Sequence, residues 1–323
     1  MAFFRLRNGK WQAIVSRKGY KPIAKTFISK IDAERWARSI EIDLDRGIFK
    51  DQSNSQNYLF SDLITAYLEK VTPTLRGRFE DTYRLRKLLR NPIAQTNLSK
   101  LTSTVIANYR DERLKEVTGP TVKRELSYIS SIINYGRREL SINIDNPVSL
   151  IRKPPNSIGR DRVLSDLEIE RLLIESDKTN NWMRPLVEFA LETAMRRGEM
   201  LDLLWINIDF NKRIAFLPLT KNGTSRKTPL SLKAISILKG LEPKSSERVF
   251  PLKGNTVSMI FLKITRRANL VNLHFHDLRH TAITRLAKKF NILELAIISG
   301  HKSLKMLQRY THIKAEDLVD KIN

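Results

Sequence analysis

Two stretches interrupt the apolar patterning of this chain, and they limit what it can fold into. The run Asp51-Gln52-Ser53-Asn54-Ser55-Gln56-Asn57 contains no apolar residue. The stretch 152–162 holds Pro154-Pro155 and Gly159. One continuous core cannot cross such breaks. The 323 residues are therefore expected as three units, 1–57, 58–153 and 154–323. With 41% apolar residues, there is enough material for a core in each.

Local signals give each unit a class. In the first, Phe3–Arg7, Trp11–Arg17 and Tyr20–Phe27 read as strands, with turns at Asn8-Gly9 and Lys18-Gly19. Pro22 places the third strand at an edge. Ser29 and Asp32 then read as a capping pair for a helix carrying Ile31, Ala33, Trp36, Ile40 and Leu44, which Gly47 ends. A small three-stranded sheet backed by one helix is expected. The second unit reads as all-helical: a run capped by Ser61 and continuing through Val71, Glu80–Arg90, a helix after Thr102, and Thr121 to Glu139. Val122, Leu126, Ile129, Ile132 and Ile133 form the apolar stripe of the last of these. The third unit reads as mixed α+β, with a hairpin from Arg213–Pro218 to Lys227–Leu230 around Asn222-Gly223. Helices are expected near 166, over 182–193, and near 231–239, 256–268, 277–289, 292–299 and 303–311. The fold class is multidomain and mostly α, with small β-sheets.

Charge points to the partner. The chain has 58 Lys+Arg against 34 Asp+Glu, a net charge of +24. The three units carry +6, +7 and +11, so the excess is not a basic tail on a neutral body. Such a surplus repels itself and suits a polyanion. The first 31 residues hold eight basic residues and no acid: Arg5, Arg7, Lys10, Arg17, Lys18, Lys21, Lys25 and Lys30. The helix at 80–90 carries Arg84, Arg86, Lys87 and Arg90. Both clusters are DNA-binding candidates; the plainer readings are a solubilising cap and a solvated helix face. No run approaches the roughly 18–20 apolar residues of a membrane span. The absence of cysteine excludes disulfides, thiolate metal sites and cysteine nucleophiles. No Gly-rich phosphate loop or metal-ligand His pair is present, which argues against ATP use and a resident metal.

What remains is a scatter of Arg, Lys, His and Tyr in the last unit, a palette suited to stabilising a charged phosphate. The order is Thr193-Ala194-Met195-Arg196-Arg197-Gly198-Glu199, then Thr220-Lys221-Asn222-Gly223, then His276-Asp277-Leu278-Arg279-His280. Ser299-Gly300-His301 and Tyr310-Thr311-His312 follow. In this order and spacing the set resembles the tyrosine recombinase (phage integrase) family. The front of the chain is similar to that family's arm-type DNA-binding and helical core-binding (SAM-like) domains. The family often has Gly where Ala194 stands and an apolar residue where Ser299 stands.

The resemblance implies roles. Arg196 and Arg279 grip the non-bridging oxygens of a phosphodiester, with fork geometry and a proton they cannot lose. His276 is a general base or a phosphate contact, His301 a donor to a non-bridging oxygen, and Lys221 the general acid for the leaving 5′-hydroxyl. Tyr310 is the nucleophile, giving a 3′-phosphotyrosyl intermediate that needs no cofactor. Glu199 and His280 support the site. The plain alternatives are a surface ion pair for Glu199, a hydrogen-bonded core histidine for His276 and an amphipathic-helix residue for Tyr310. The implied function is a site-specific recombinase or integrase of a phage or mobile element, acting through a Holliday junction. Its implied partners are double-stranded DNA at core and arm sites, a homotetramer on that DNA, a host DNA-bending protein and an excision factor, in the cytoplasm of a bacterial host. Residues Ile313, Leu318, Val319 and Ile322 could dock on a neighbouring protomer. The competing readings are a type IB topoisomerase-like enzyme, a non-catalytic DNA-binding regulator and a basic membrane-surface protein.

Overall fold

The computed structural model describes residues 2–18, 20, 22–46, 58–156, 159–219, 223–241 and 247–310. The chain divides into two compact units, Met1–Ile158 and Gly159–Asn323. It is mostly helical with two small antiparallel sheets. Among the described residues, no helix is long and apolar enough to cross a membrane. The expected linker 51–57 and the apolar tail positions beyond Tyr310 lie outside the described residues.

The first sheet has the order β1 (Ala2–Arg7), β2 (Lys10–Val15), β3 (Ile23–Phe27), all antiparallel. Asn8 and Gly9 both have positive φ, 51° and 70°, as a tight turn matched to strand twist requires. Helix α1 (Lys30–Asp45) covers one face. Its core is Ala13, Val15, Ala33, Ala37 and Leu44, ringed by Trp11, Phe27 and Trp36. The alanines let the helix lie close to the sheet. Ser29 caps α1 through the N–H of Ile31 at 3.2 Å, not through that of Asp32.

The helical part holds α2 (Phe60–Lys70), α3 (Arg78–Leu89), α4 (Ser103–Glu116) and α5 (Gly119–Glu139). Ser61 is not the cap expected for α2. The helix begins one residue earlier, and the Asp62 carboxylate accepts the Leu59 N–H at 2.8 Å. Val122, Leu126, Ile129, Ile132 and Ile133 of α5 are fully buried. Arg113 is buried too, and binds both oxygens of Glu125, at 2.9 and 2.7 Å. Tyr109 donates to the same carboxylate at 2.9 Å, so this internal charge is paired and hydrogen-bonded.

The second unit begins with α6 (Asp166–Asp177), α7 (Met183–Thr193) and the short α8 (Arg197–Leu201). A sheet follows, β4 (Ile208–Asp209), β5 (Ile214–Leu217) and β6 (Arg226–Pro229). Then come α9 (Leu232–Lys239), α10 (Gly254–Arg267), α11 (Phe275–Leu286) and α12 (Ile292–Ser299). Two-residue β4 was not foreseen; it is too short to alternate. The helix expected over 303–311 is instead two 3₁₀ turns, Leu304–Met306 and Gln308–Tyr310. Leu304, Leu307 and Tyr310 recur every three residues, the period of a 3₁₀ turn. Leu307 is fully buried against Ala194, Ala282, Ile283 and Leu295, which anchors this segment.

Gly136 is a point of close packing in the helical part. A Cβ there would lie 2.6 Å from Leu63 Cδ2. Gly136→Ala is expected to lower the stability of this part by about 1–3 kcal/mol, although alanine is the better helix former. Native-state hydrogen exchange across α5 in the full chain reads the change. Unchanged or slowed exchange contradicts the packing argument.

Candidate active site

The site is assembled at the ends of helices. An α-helix leaves its last carbonyls without intrahelical partners, and that end carries partial negative charge. Helix α7 stops at Ala194, which sits in the left-handed region at φ 51°. Helix α12 stops at Gly300, at φ 68°. Three arginines converge on the freed carbonyls. Arg279 donates to Ala194 O at 2.5 Å and to Ser299 O at 2.7 Å. Arg196 reaches Gly300 O at 3.0 Å, and Arg226 reaches Ile298 O at 2.7 Å. Gly300 is also spatially required, because a Cβ there would stand 2.8 Å from Arg226 Cδ and Nε.

Glu199 ties two of the arginines together. Its Oε1 accepts from the Arg196 guanidinium at 2.7 Å, and its Oε2 from the Arg196 N–H at 2.9 Å and from Arg226 at 2.8 Å. Burial alone would raise this carboxyl; the bonds and charges of Arg226 and Arg196 outweigh it and hold Glu199 below its usual range. Among the described residues no carboxylate is bonded to Arg279, which is only 3% exposed. Burial, with Arg196 alongside, lowers its guanidinium to about 9 against the opposing charge of Glu199, so it stays charged at neutral pH. It is a cation seated on carbonyl dipoles.

His301 lies beyond Gly300, with Arg279 Nη2 3.4 Å from each of its ring nitrogens. Burial, then Arg279 and Arg196, lower it to about 4. Helix α11 carries His276, Arg279 and His280. His276 stands edge-on to His280, with ring centroids 5.0 Å apart. Burial, then His280 and Arg279, lower His276 to about 4; the residue keeps an open side, where water screens part of that effect. Burial lowers His280 as well.

Tyr310 stacks on His280, with centroids 5.8 Å apart, and its hydroxyl is bonded to His280 Nδ1. Burial raises the phenol, while Arg309 and Arg279 pull it back. The segment is tied down by Arg309, which donates to Arg160 O at 2.5 Å and pairs with Asp161. Arg160 in turn grips fully buried Asp277, at 3.1 and 2.7 Å. Asp277 also accepts the His274 N–H at 2.8 Å, which caps α11.

The structure thus brings Arg196, Glu199, Arg279 and His301 into one cluster, and His276, His280 and Tyr310 into a second beside it. Lys221 lies outside the described residues, as does Lys21. Arg226, Arg160, Asp277 and Arg309 were not singled out from sequence. Their partners lie 27, 117, 117 and 148 residues away, beyond any local pattern. Among the described residues, no group of three or more acidic or histidine side chains could hold a metal ion.

The DNA-binding candidates fall on two surfaces. Phe3, Arg5 and Arg7 alternate with the core positions of β1, and Arg7 pairs across from Lys10. These basic residues face away from α1, and Arg5 donates to Gln12 at 2.7 Å. Arg17 is paired with Asp45, and Lys18 is exposed. Lys25 differs: it sits opposite buried Ala13, on the helix side of the sheet, over the Phe27 ring. On α3, Lys87 and Arg90 line a cleft of about 710 Å³ with Tyr83 and Arg124. Arg86 is exposed, whereas Arg84 is partly occupied by Asp81 and Tyr128.

Residues 162–317 match the phage integrase family, and residues 57–153 match the phage integrase N-terminal domain. A putative integrase/recombinase of Haemophilus influenzae is 39% identical over 319 residues, covering 94% of this chain and 85% of that protein. A shufflon-specific DNA recombinase of Escherichia coli is 40% identical over 273 residues, covering 81% and 71%. A solved lambda integrase dimer bound to a COC′ core site shares the fold, with a TM-score of 0.67 and 19% identity, covering 95% of this chain and 94% of that one. The chain belongs to the phage integrase family of tyrosine-type site-specific recombinases.

Proposed function

We propose that this chain cuts and rejoins duplex DNA through Tyr310, with the arginine cluster holding the reacting phosphate. The observation that carries the reading is the Tyr310 hydroxyl bonded to His280, beside a buried arginine to which, among the described residues, no carboxylate is bonded. A phosphodiester supplies an anion. Arg196, Arg279 and His301 bind its non-bridging oxygens, where charge grows in the transition state. Tyr310 Oη attacks phosphorus, its proton passes to His280 Nδ1, and the bond from phosphorus to the 5′-oxygen breaks. The 5′-oxygen leaves as a hydroxyl after taking a proton, which the family resemblance assigns to Lys221. The ester bond is exchanged for another ester, so the reverse step needs no external energy. His276 stands behind His280 and contacts phosphate in this scheme, so the first proton acceptor is His280.

The partner is duplex DNA, and the working form is an oligomer; the lambda integrase dimer on a core site and tetramer on a Holliday junction support this reading. In our reading four copies synapse two duplexes in the cytoplasm of a bacterial host. The exposed β1–β2 face with Arg5, Arg7 and Lys10 contacts arm sites. The α3 surface with Lys87 and Arg90 contacts the core site. A three-part division at 1–57, 58–153 and 154–323 suits these separate tasks, and a bending protein and an excision factor would set direction.

Covalent trapping tests the reading. With a nicked suicide duplex spanning the junction of the element that encodes the chain, a protein–DNA band is expected on a denaturing gel, absent from Tyr310→Phe. No adduct despite tight binding overturns it. Arg279→Ala is expected to slow adduct formation about 100- to 1,000-fold. Glu199→Gln leaves two partly buried guanidiniums without their shared carboxylate, and is expected to lower the thermal midpoint by an amount equivalent to about 1–3 kcal/mol.

The histidines give a pH dependence. His276, His280 and His301 all have lowered pKa values in the folded chain. The unfolded chain therefore binds more protons than the folded one below the usual value of about 6.5. The stabilisation is present above that pH and lost as pH falls toward about 4. The thermal midpoint should drop across this window, and adduct formation should persist below pH 6.5 before it fails. An acid limb at or above 6.5 contradicts the burial of these rings.

A further inference from the structure

We propose that Ser299 makes phosphate binding by this chain depend on the uptake of one proton by His301. The inference rests on the reading that His301 faces the reacting phosphate. Ser299 is fully buried. Its Oγ lies 2.6 Å from Leu295 O and 2.7 Å from His301 Nδ1. A hydroxyl has one proton to donate, and a backbone carbonyl can only accept. The Ser299 proton therefore goes to Leu295 O. The Nδ1 of His301 must then be the donor in its bond to Oγ, and it carries the hydrogen.

In a neutral imidazole with hydrogen on Nδ1, Nε2 is a lone pair. Arg279 Nη2 lies 3.4 Å from both ring nitrogens and favours neither tautomer, so the bond to Ser299 decides. A lone pair cannot donate to a phosphate oxygen, and Ser299 blocks the exchange of tautomers. His301 becomes a phosphate donor only as the imidazolium, with Nδ1–H on Ser299 and the new Nε2–H on the phosphate. Among the described residues, the groups that act most on its ring are basic. Arg279 and His280 come from α11, Arg196 from the start of α8 and Arg226 from β6, and all oppose protonation. A phosphate held by the same arginines reverses that field. The family resemblance puts an apolar residue at 299, so the hydroxyl is a feature of this chain.

The test is calorimetric and needs no cleavage. The Tyr310→Phe protein is titrated with the intact junction duplex at neutral pH, in buffers of different ionisation enthalpy. With Ser299 present, uptake close to one proton per bound protomer is expected. Ser299→Ala frees Nδ1 as an acceptor, lets neutral His301 donate from Nε2, and should bring uptake near zero. Ser299→Thr should retain it, and His301→Gln should abolish it with Ser299 intact. In proteins with Tyr310, the adduct rate should fall tenfold per pH unit above the bound-state pKa of His301, and lose that slope in Ser299→Ala. Equal uptake with serine and alanine at 299, or no difference between wild-type His301 and His301→Gln, overturns the proposal. Absence of any wild-type adduct overturns the functional reading instead, because proton uptake is measured on binding alone.

Discussion

Guanidinium groups seated on helix-end carbonyls are the interaction on which this site depends. Arg196, Arg226 and Arg279 between them take Ala194 O, Ile298 O, Ser299 O and Gly300 O. Each bond satisfies a carbonyl that the helix geometry leaves open and that carries partial negative charge. The arrangement fixes the forks without neutralising them fully. Glu199 is bonded to Arg196 and Arg226, while the described bonds of Arg279 to backbone go to carbonyls. A site with full carboxylate pairing would be more stable alone and less able to bind a phosphate. The backbone accommodates the scheme at Ala194 and Gly300, both in the left-handed region. Glycine adopts that region freely and alanine does so at a cost of about 1–2 kcal/mol, consistent with the glycine often seen in the family at 194.

The tyrosine is brought to this cluster by contacts from far away in the chain. Leu307 is buried under α11 and α12, which sets the height of the final 3₁₀ turns. Arg309 then binds Arg160 O and Asp161, and Arg160 binds Asp277 inside the histidine–arginine motif. The Tyr310 segment and the motif are thus both fastened to residues 160–161. Asp277 is fully buried, so removal of Arg160 would leave an uncompensated charge, the costly way to break such a pair.

Much of this was legible in the sequence, for identifiable reasons. The β1–β2 turn was fixed by Asn8-Gly9, the only kind of pair that takes two positive φ angles cheaply. The stripe of α5 was fixed by spacing. Residue types in order singled out Arg196, Arg279, His276, His301 and Tyr310 as candidates, and the fold brings them together. Other features were illegible because they are not local. Nothing near Arg226 says that it will meet Glu199, and nothing near Arg309 says that it will meet Asp161. His280 was read as support because only the fold puts its ring under Tyr310. Lys25 was read with the DNA-facing lysines, although its register with Ala13 turns it toward the helix. Ser299 stood out in the sequence only as a departure from the family pattern, and the structure places its hydroxyl on His301.

The central claim is that the buried arginines exist to neutralise charge on the non-bridging phosphate oxygens. Replacing one of those oxygens by a neutral methyl group, as a methylphosphonate at the scissile position, tests it most directly. Adduct formation by wild type and Arg279→Ala is compared on both substrates. The account predicts that the loss caused by Arg279→Ala is large on the phosphodiester and nearly vanishes on the methylphosphonate. Equal losses on the two substrates would contradict it and leave Arg279 a purely structural link between helix ends.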